Sequence, residues 1–308
     1  MKNTYSKLTL TLLLALVSTW TFAQNVLVDT KKSYPGITRI EVESGWLNVT
    51  YTGGSSSSVD VEAYLESNDT DQDIVFVTVG DVLKITHTRK QRNYSWNTRN
   101  KGYITISGPE AMALDVKGSS GNITVTQVKS ERTNLRITSG NLKANQIGGD
   151  LLVKATSGNL TVDGVKGSVE SGLTSGNGNF YNVDGDLNYE STSGSLDAKN
   201  IGGEVSVSLT SGNAKIENAG KLGNLQFTSG TMRATGSGLG ENTRFQGSSG
   251  NFRIQTNSNL KDFNFSLKAS SGNLKVGSIS SGKTLEIDNG SSTWIRGNIT
   301  SGNISIEN

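Results

Sequence analysis

Apolar and polar residues alternate in short bursts along most of the chain, and glycines close the bursts. In "TSGNLTVDGVKG" (156–167), Leu160 and Val162 fall on one side of an extended chain and Thr161 and Asp163 on the other; Val169 resumes the pattern after Gly167. A period of two marks a strand with one buried face. The phrase recurs. Ser-Gly pairs begin at Ser120, Ser139, Ser157, Ser175, Ser193, Ser211, Ser229, Ser249, Ser271 and Ser301, at intervals of 19, 18, 18, 18, 18, 18, 20, 22 and 30 residues. The longest interval holds a degenerate unit, "DNGSSTWIRGNI", whose Asn289-Gly290 lies 18 residues after Ser271-Gly272. A second beat runs inside the unit: Gly194 and Gly203 are nine residues apart, with Leu196 and Ala198 after the first and Val205 and Val207 after the second. A fixed short period outranks any local reading and marks a repeat architecture.

These features predict an all-β fold: a stacked parallel β-helix or β-roll of 18-residue coils, each hydrogen-bonded to the one beneath at about 4.8 Å. Roughly ten coils make a rod about 50 Å long at that spacing. One inward column holds Leu142, Leu160, Leu196, Ala214, Met232, Phe252, Leu274 and Ile304; another holds Ala144, Val162, Phe180, Ala198, Ile216, Ala234, Ile254, Val276 and Ile306. Each buried aliphatic contributes about 1.5–3 kcal/mol, and stability sums along the stack. Gly158 supplies a turn with positive φ or a close backbone approach. Asn159 recurs as Asn122, Asn141, Asn177, Asn213, Asn251, Asn273 and Asn303, and stacked identical Asn side chains are expected to bond to one another up the rod. The final "TSGNISIEN" reads as the last strand, with Glu307 blunting its edge.

Residues 24–109 lack the repeat but keep the alternation in "ITRIEVESGWLNVTY", "VDVEAYLES", "DIVFVTVGDVLKITHT" and "GYITISG". They predict a β-rich N-terminal section that covers the first edge of the rod. The repeat region follows over 110–308, with a soft boundary that lets 24–308 share one core. Residues 1–23 read as a secretory signal: Lys2 and Lys7, an apolar run from Leu8 to Val17, and small residues at Thr21 and Ala23 before cleavage. That run is short for a membrane span, and no later stretch is apolar enough to be one.

Composition narrows the picture. The chain has 308 residues with 37 Gly, 2 Pro, 6% aromatics and 33% hydrophobics, which suits thin layers burying small aliphatics. Removing Lys2 and Lys7 with the signal leaves 27 basic residues against 27 acidic ones, so nothing draws the mature chain as a whole toward nucleic acid. The absence of cysteine removes disulfides and thiolate chemistry.

The "SGN-apolar-x-apolar" units from Ser120 onward, and the lead-in "GYITISGPEAMALDVKGSSGNITV", resemble the putative-adhesin families of exported bacterial β-strand-repeat proteins, including auto-transporter adhesin head domains. The resemblance spans nearly all of residues 24–308. It implies a parallel β-helix-like fold and an exported location. It carries no catalytic residues over to this chain.

Candidate chemistry is sparse. His87 is the only histidine and reads as an outward strand residue in "LKITHTRK", without the partners that a triad or His-based metal site needs. "NDTDQD" places Asp69, Asp71 and Asp73 at alternate positions, but Ile74 stands where a calcium loop needs Gly and no Glu follows in place. It reads as a solvated acidic loop. Acids elsewhere, such as Asp163, Glu170, Asp197 and Glu217, fall on outward positions. The Thr column at 138, 156, 174, 192, 210, 228 and 300 reads as a structural ladder. The most unusual stretch is "RKQRNYSWNTRNKGY", expected to be a long basic hairpin loop whose Arg89, Arg92, Tyr94, Trp96, Arg99 and Tyr103 form a candidate interaction site. Aromatic rings stack on sugar faces and guanidinium groups bind phosphate or carboxylate; the bland alternative is a solvated loop whose rings pack on the N-terminal sheet.

The sequence therefore reads as an exported, non-enzymatic, adhesin-like β-helix scaffold that presents a surface to a protein or glycan on a cell or envelope surface. It is placed in the periplasm, on the outer cell surface or outside the cell. No cofactor, nucleic-acid partner or integral membrane span is expected after signal cleavage. The alternatives are a periplasmic structural or interaction module and a polysaccharide-active β-helix enzyme.

Overall fold

The computed structural model describes residues 25–90 and 100–308. The signal-peptide reading of 1–23 lies outside these residues, as does the middle of the basic loop.

The repeat folds as stacked coils. Strands β10 (Arg132–Ile147), β11 (Asp150–Val165) and β12 (Val169–Val183) each span nearly one coil, and β13 (Leu187–Ser237) runs on through the coils that follow. They are parallel and in register, with Asn141 beside Asn159 and Asn159 beside Asn177. Each coil has two buried stretches, in β11 Leu151, Val153 and Ala155 on one wall and Leu160, Val162 and Val165 on the other. The alternation is what makes both walls bury one face only.

Two corners join the walls. At the first, Gly158 adopts φ +128°; a Cβ there would overlap the Gly140 carbonyl oxygen and come within 2.8 Å of its carbonyl carbon. The Ser-Gly pair is thus fixed by backbone stacking on backbone. At the second, one residue per coil is left-handed: Gln146 at φ 57°, Asn182 at 56°, Asn200 at 58° and Asn218 at 57°. Asn tolerates this conformation better than most residues. The left-handed turn therefore begins at Asn200, ahead of the Gly203 that marks it in the sequence.

Both predicted columns are buried. Gly178 interrupts the first, standing in register between Leu160 and Leu196. A Cβ at Gly178 would lie 2.6 Å from the Tyr189 ring and 2.8 Å from the Phe180 ring. The two rings meet edge to face at 5.8 Å and fill the space that leucines fill in neighbouring coils.

The Asn ladder forms in part. Asn141 Nδ2 donates to Asn122 Oδ1 (3.1 Å), Asn159 to Asn141 (3.1 Å) and Asn177 to Asn159 (3.2 Å). Asn48 extends it below, accepting from Asn122. Ser195 follows Asn177 in register, and higher up Asn213 accepts from the Thr231 backbone N–H instead.

The ends are built out of chain order. At the N-terminal end lie β1 (Asn25–Pro35), β2 (Arg39–Glu43), β3 (Asn48–Gly54), β4 (Ser58–Ser67), β5 (Gln72–Val79), β6 (Val82–Arg89), β7 (Asn100–Pro109), β8 (Ala113–Gly118) and β9 (Asn122–Val128). β2 and β3 make a coil held between β8–β9 on one side and β6–β7 on the other, all parallel. Antiparallel β5 then covers β6, β4 covers β7, and β1 covers β4.

At the other end lie β14 (Leu239–Thr256), β15 (Asn264–Val276), β16 (Ile279–Ser281), β17 (Thr284–Ile287) and β18 (Trp294–Glu307). Here the sequential reading fails. The C-terminal β18 is not the last strand: it lies between β14 and β15, with Phe252 beside Ile304 and Ile304 beside Leu274. Asn289-Gly290 is no stacked corner either; it sits in the link between β17 and β18. The outer edge of β15 is covered by antiparallel β16 and β17, so Glu307 blunts no edge and instead pairs with Lys275 at 2.9 Å.

Candidate functional site

The strands that flank the basic segment, β6 and β7, lie on either side of a first corner. β6 pairs with β2 and β5, and β7 with β3 and β4. The two are the walls of one coil and are not the paired strands of a hairpin. The segment's strand-end members have partners. Arg89 Nη2 lies 2.6 Å from Asp69 Oδ2. Tyr103, in register with Asn48, donates from its hydroxyl to Glu62 Oε1 at 2.8 Å and stacks on Tyr64 at 5.8 Å. Lys31 reaches Glu62 Oε2 at 3.0 Å. The bonds from Lys31 and Tyr103 hold the Glu62 carboxyl below its usual range, and the bond to Glu62 raises the Tyr103 phenol. Arg92, Tyr94, Trp96 and Arg99 lie outside the described residues.

His87 corrects the sequence reading. It continues on the buried side of Leu83 and Ile85, half-buried rather than outward. Trp46 Nε1 donates to Gln72 Oε1 at 2.9 Å, His87 Nε2 lies 3.0 Å from the same oxygen, and the Trp46 ring meets the imidazole edge to face at 5.8 Å. Burial, then the charge of Arg89, lowers the imidazole pKa. In the acidic loop, Asp69 accepts from the Asp71 backbone N–H at 3.2 Å and Asp73 from that of Ile74 at 2.8 Å. Among the described residues no group of three or more His, Asp or Glu side chains is placed to hold a metal ion.

The other surface is a groove of about 710 Å³ running across the coils beside the first corner. Its length is set by stacked threonines at 138, 156, 174, 192 and 210, which the sequence offers only as a ladder. Gly172 stands in register between Lys154 and Glu190, so a missing side chain opens the groove midway. Arg136, Lys154, Glu170 and Glu190 add charge of both signs. Glu170 is bracketed by Arg132 at 3.6 Å and Lys154 at 3.4 Å. Behind the groove, on the buried face, Ser171 (2% exposed) stands in register between Val153 and Tyr189, and its Oγ has no hydrogen-bond partner among the described residues. The groove surface offers many hydroxyl donors and acceptors and is more polar than apolar, which suits a polar, extended ligand.

The chain matches the Toastrack DUF4097 family over residues 37–219 and again over 203–307, and it belongs to that family. No curated protein matches it. Among solved structures it is similar to a putative adhesin from Bacteroides fragilis, at 12% identity over 92% of this chain and 98% of that one, with a TM-score of 0.44. It is also similar to a putative cell adhesion protein from Clostridium sporogenes, at 11% identity over 91% and 99% of the two chains with a TM-score of 0.22. A third is a putative adhesin from Parabacteroides merdae, at 17% identity over 74% and 92%, with a TM-score of 0.26. No helix among the described residues is long and apolar enough to cross a membrane.

Proposed function

We propose that the chain is an exported, non-enzymatic, adhesin-like scaffold, cleaved after Ala23, whose residues 24–109 and 110–308 act as one rod presenting a surface to a protein or glycan. The observation that carries this reading is the polar groove along the threonine column. The basic segment with Arg92, Tyr94, Trp96 and Arg99 is the second contact region in this reading. Intact cells treated with protease test the location: cleavage supports display at the surface, and protection until the envelope is opened supports a periplasmic interaction module. Glycan and envelope-protein arrays then test the surface. Loss of a bound partner on Thr156→Val/Thr174→Val or on deletion of 91–99 identifies the region used; binding that survives both changes refutes the assignment.

One observation favours an enzyme reading. Glu170 and Glu190 share the groove on adjacent coils, and glycoside hydrolysis uses two carboxylates in one cleft. Turnover of a polysaccharide that disappears in Glu190→Gln would establish it. An equal rate in the variant would remove it.

A further inference from the structure

Ion pairs link the outer faces of several neighbouring coils. Lys129 meets Glu110 at 2.5 Å, Lys166 meets Asp184 at 2.8 Å and Lys199 meets Glu217 at 3.8 Å. Where Lys117, Arg136 and Lys154 stack in register, Asp115 takes Arg136 at 3.3 Å and Glu170 takes Lys154 at 3.4 Å; two places in the C-terminal third lack such relief among the described residues. Arg233 and Arg253 stand directly opposite each other in register across β13 and β14, both exposed. On the other wall Arg244 and Arg296 repeat the arrangement across β14 and β18. Residues 221–308 carry nine Lys and Arg against five Asp and Glu.

Like charges facing each other across a sheet are destabilising, and adjacent coils are only about 4.8 Å apart. No ion pair relieves Arg233 or Arg253 among the described residues: Glu307, in the same hollow, is taken by Lys275 at 2.9 Å. Lys215, one coil earlier, is held by Glu217 at 2.7 Å. The arginine pair lines a hollow of about 440 Å³ together with Thr235, Gln255 and Ser305.

We propose that this hollow binds a linear acidic polysaccharide, whose carboxylate or sulfate groups sit on the forks of Arg233 and Arg253. A guanidinium fork matches the two oxygens of such a group, and two forks one coil apart take one group jointly or two successive ones. The hydroxyl of Thr235 and the amide of Gln255 suit sugar hydroxyls, while Ser305 donates to Glu307 Oε1 at 2.8 Å. Nucleic acid is disfavoured because no aromatic ring lines the hollow for base stacking. A bilayer is disfavoured because its apolar members, Ala234 and Ile254, are buried. The inference is independent of the threonine groove and holds whether or not that groove is occupied.

The test measures binding of the full mature chain to polygalacturonate and to dextran sulfate, with uncharged dextran, double-stranded DNA and phosphatidylglycerol vesicles in parallel, at low and at physiological salt. One or both acidic polysaccharides are expected to bind, more weakly as salt rises, and neutral dextran is not. Arg233→Gln/Arg253→Gln should raise Kd at least about tenfold, from the loss of charge-assisted contacts. Lys129→Gln/Lys166→Gln removes the same charge elsewhere and should leave Kd within about threefold, as expected of rim charges. Equal losses in the two variants would reduce the effect to net charge and overturn the proposal. So would tighter binding to DNA or vesicles than to either polysaccharide, or no binding at all. The arginine variant should melt at or above the wild-type temperature, which separates a binding loss from unfolding.

Discussion

Gly158→Ala tests the claim that the Ser-Gly corner is fixed by backbone stacking. The residue holds φ +128°, and a Cβ there would overlap the Gly140 carbonyl oxygen and sit 2.8 Å from its carbon and 3.1 Å from its nitrogen. None of these atoms belongs to a flexible side chain, so the coils themselves must separate. Holding Ala at that φ costs about 1–3 kcal/mol. Opening the corner loses roughly two inter-coil hydrogen bonds at about 1 kcal/mol each. The total, about 3–5 kcal/mol, is a large part of the roughly 5–15 kcal/mol that holds a typical domain folded. The control is Gly164→Asn. Gly164 has φ +75° and no neighbour nearer than 3.6 Å to an added Cβ, and Asn182, Asn200 and Asn218 occupy the same position in later coils. It should change stability by less than about 0.5 kcal/mol. Urea unfolding followed by far-ultraviolet circular dichroism should place the Gly158→Ala midpoint about 1 M or more below wild type, for an m-value near 3 kcal/mol/M. A midpoint no lower than that of Gly164→Asn would refute the stacking argument.

Three further outcomes are expected. Gly178→Leu restores the leucine column in sequence but drives into Tyr189 and Phe180, so it should destabilise by about 1–3 kcal/mol; adding Tyr189→Val, matching Val153 and Val207, should recover most of the loss in the same unfolding assay. His87 has its pKa lowered in the fold, so below the ordinary imidazole value the unfolded chain binds the proton more readily; stability should fall as pH drops from about 7 toward 5.5, and His87→Gln should flatten that slope in thermal melts. Deleting 294–308 removes the strand between β14 and β15, leaving two unpaired parallel edges; light scattering should show oligomers or aggregates, whereas a merely shortened rod would stay monomeric.

What the sequence reveals is what repeats. The period, the buried columns and the corner glycines follow from spacing alone, because one residue pattern satisfies one rung geometry many times over. Where a rung departs from its neighbours, pattern gives no guidance. Gly178 looks like a lapse in a leucine column until the rings of Phe180 and Tyr189 explain it. His87 reads as outward in a polar context, yet alternation from Leu83 and Ile85 already places it inside, and that count outweighs the character of its neighbours. The order of the terminal rungs leaves no local trace, since Ile304 carries the same signal whether its coil lies beyond β15 or beneath it. The groove is similar: threonines at one-coil intervals announce a ladder, while the hollow beside them depends on the one missing side chain at Gly172. The sequence singles out the basic segment by composition, but that its flanking strands are two walls of one coil depends on the pairing of β6 with β2 and of β7 with β3.

The interleaved ends restrict how such proteins can change over evolutionary time. At either tip, a segment early or late in the chain is laid between two others, so adding or dropping a unit there would disturb three rungs at once. The coils of β10 to β13 follow one another in order, and duplication of an 18-residue segment there disturbs only the two faces it separates. Lineages can therefore vary the reach of the rod from its middle, by copying or losing whole units, while both tips are inherited intact.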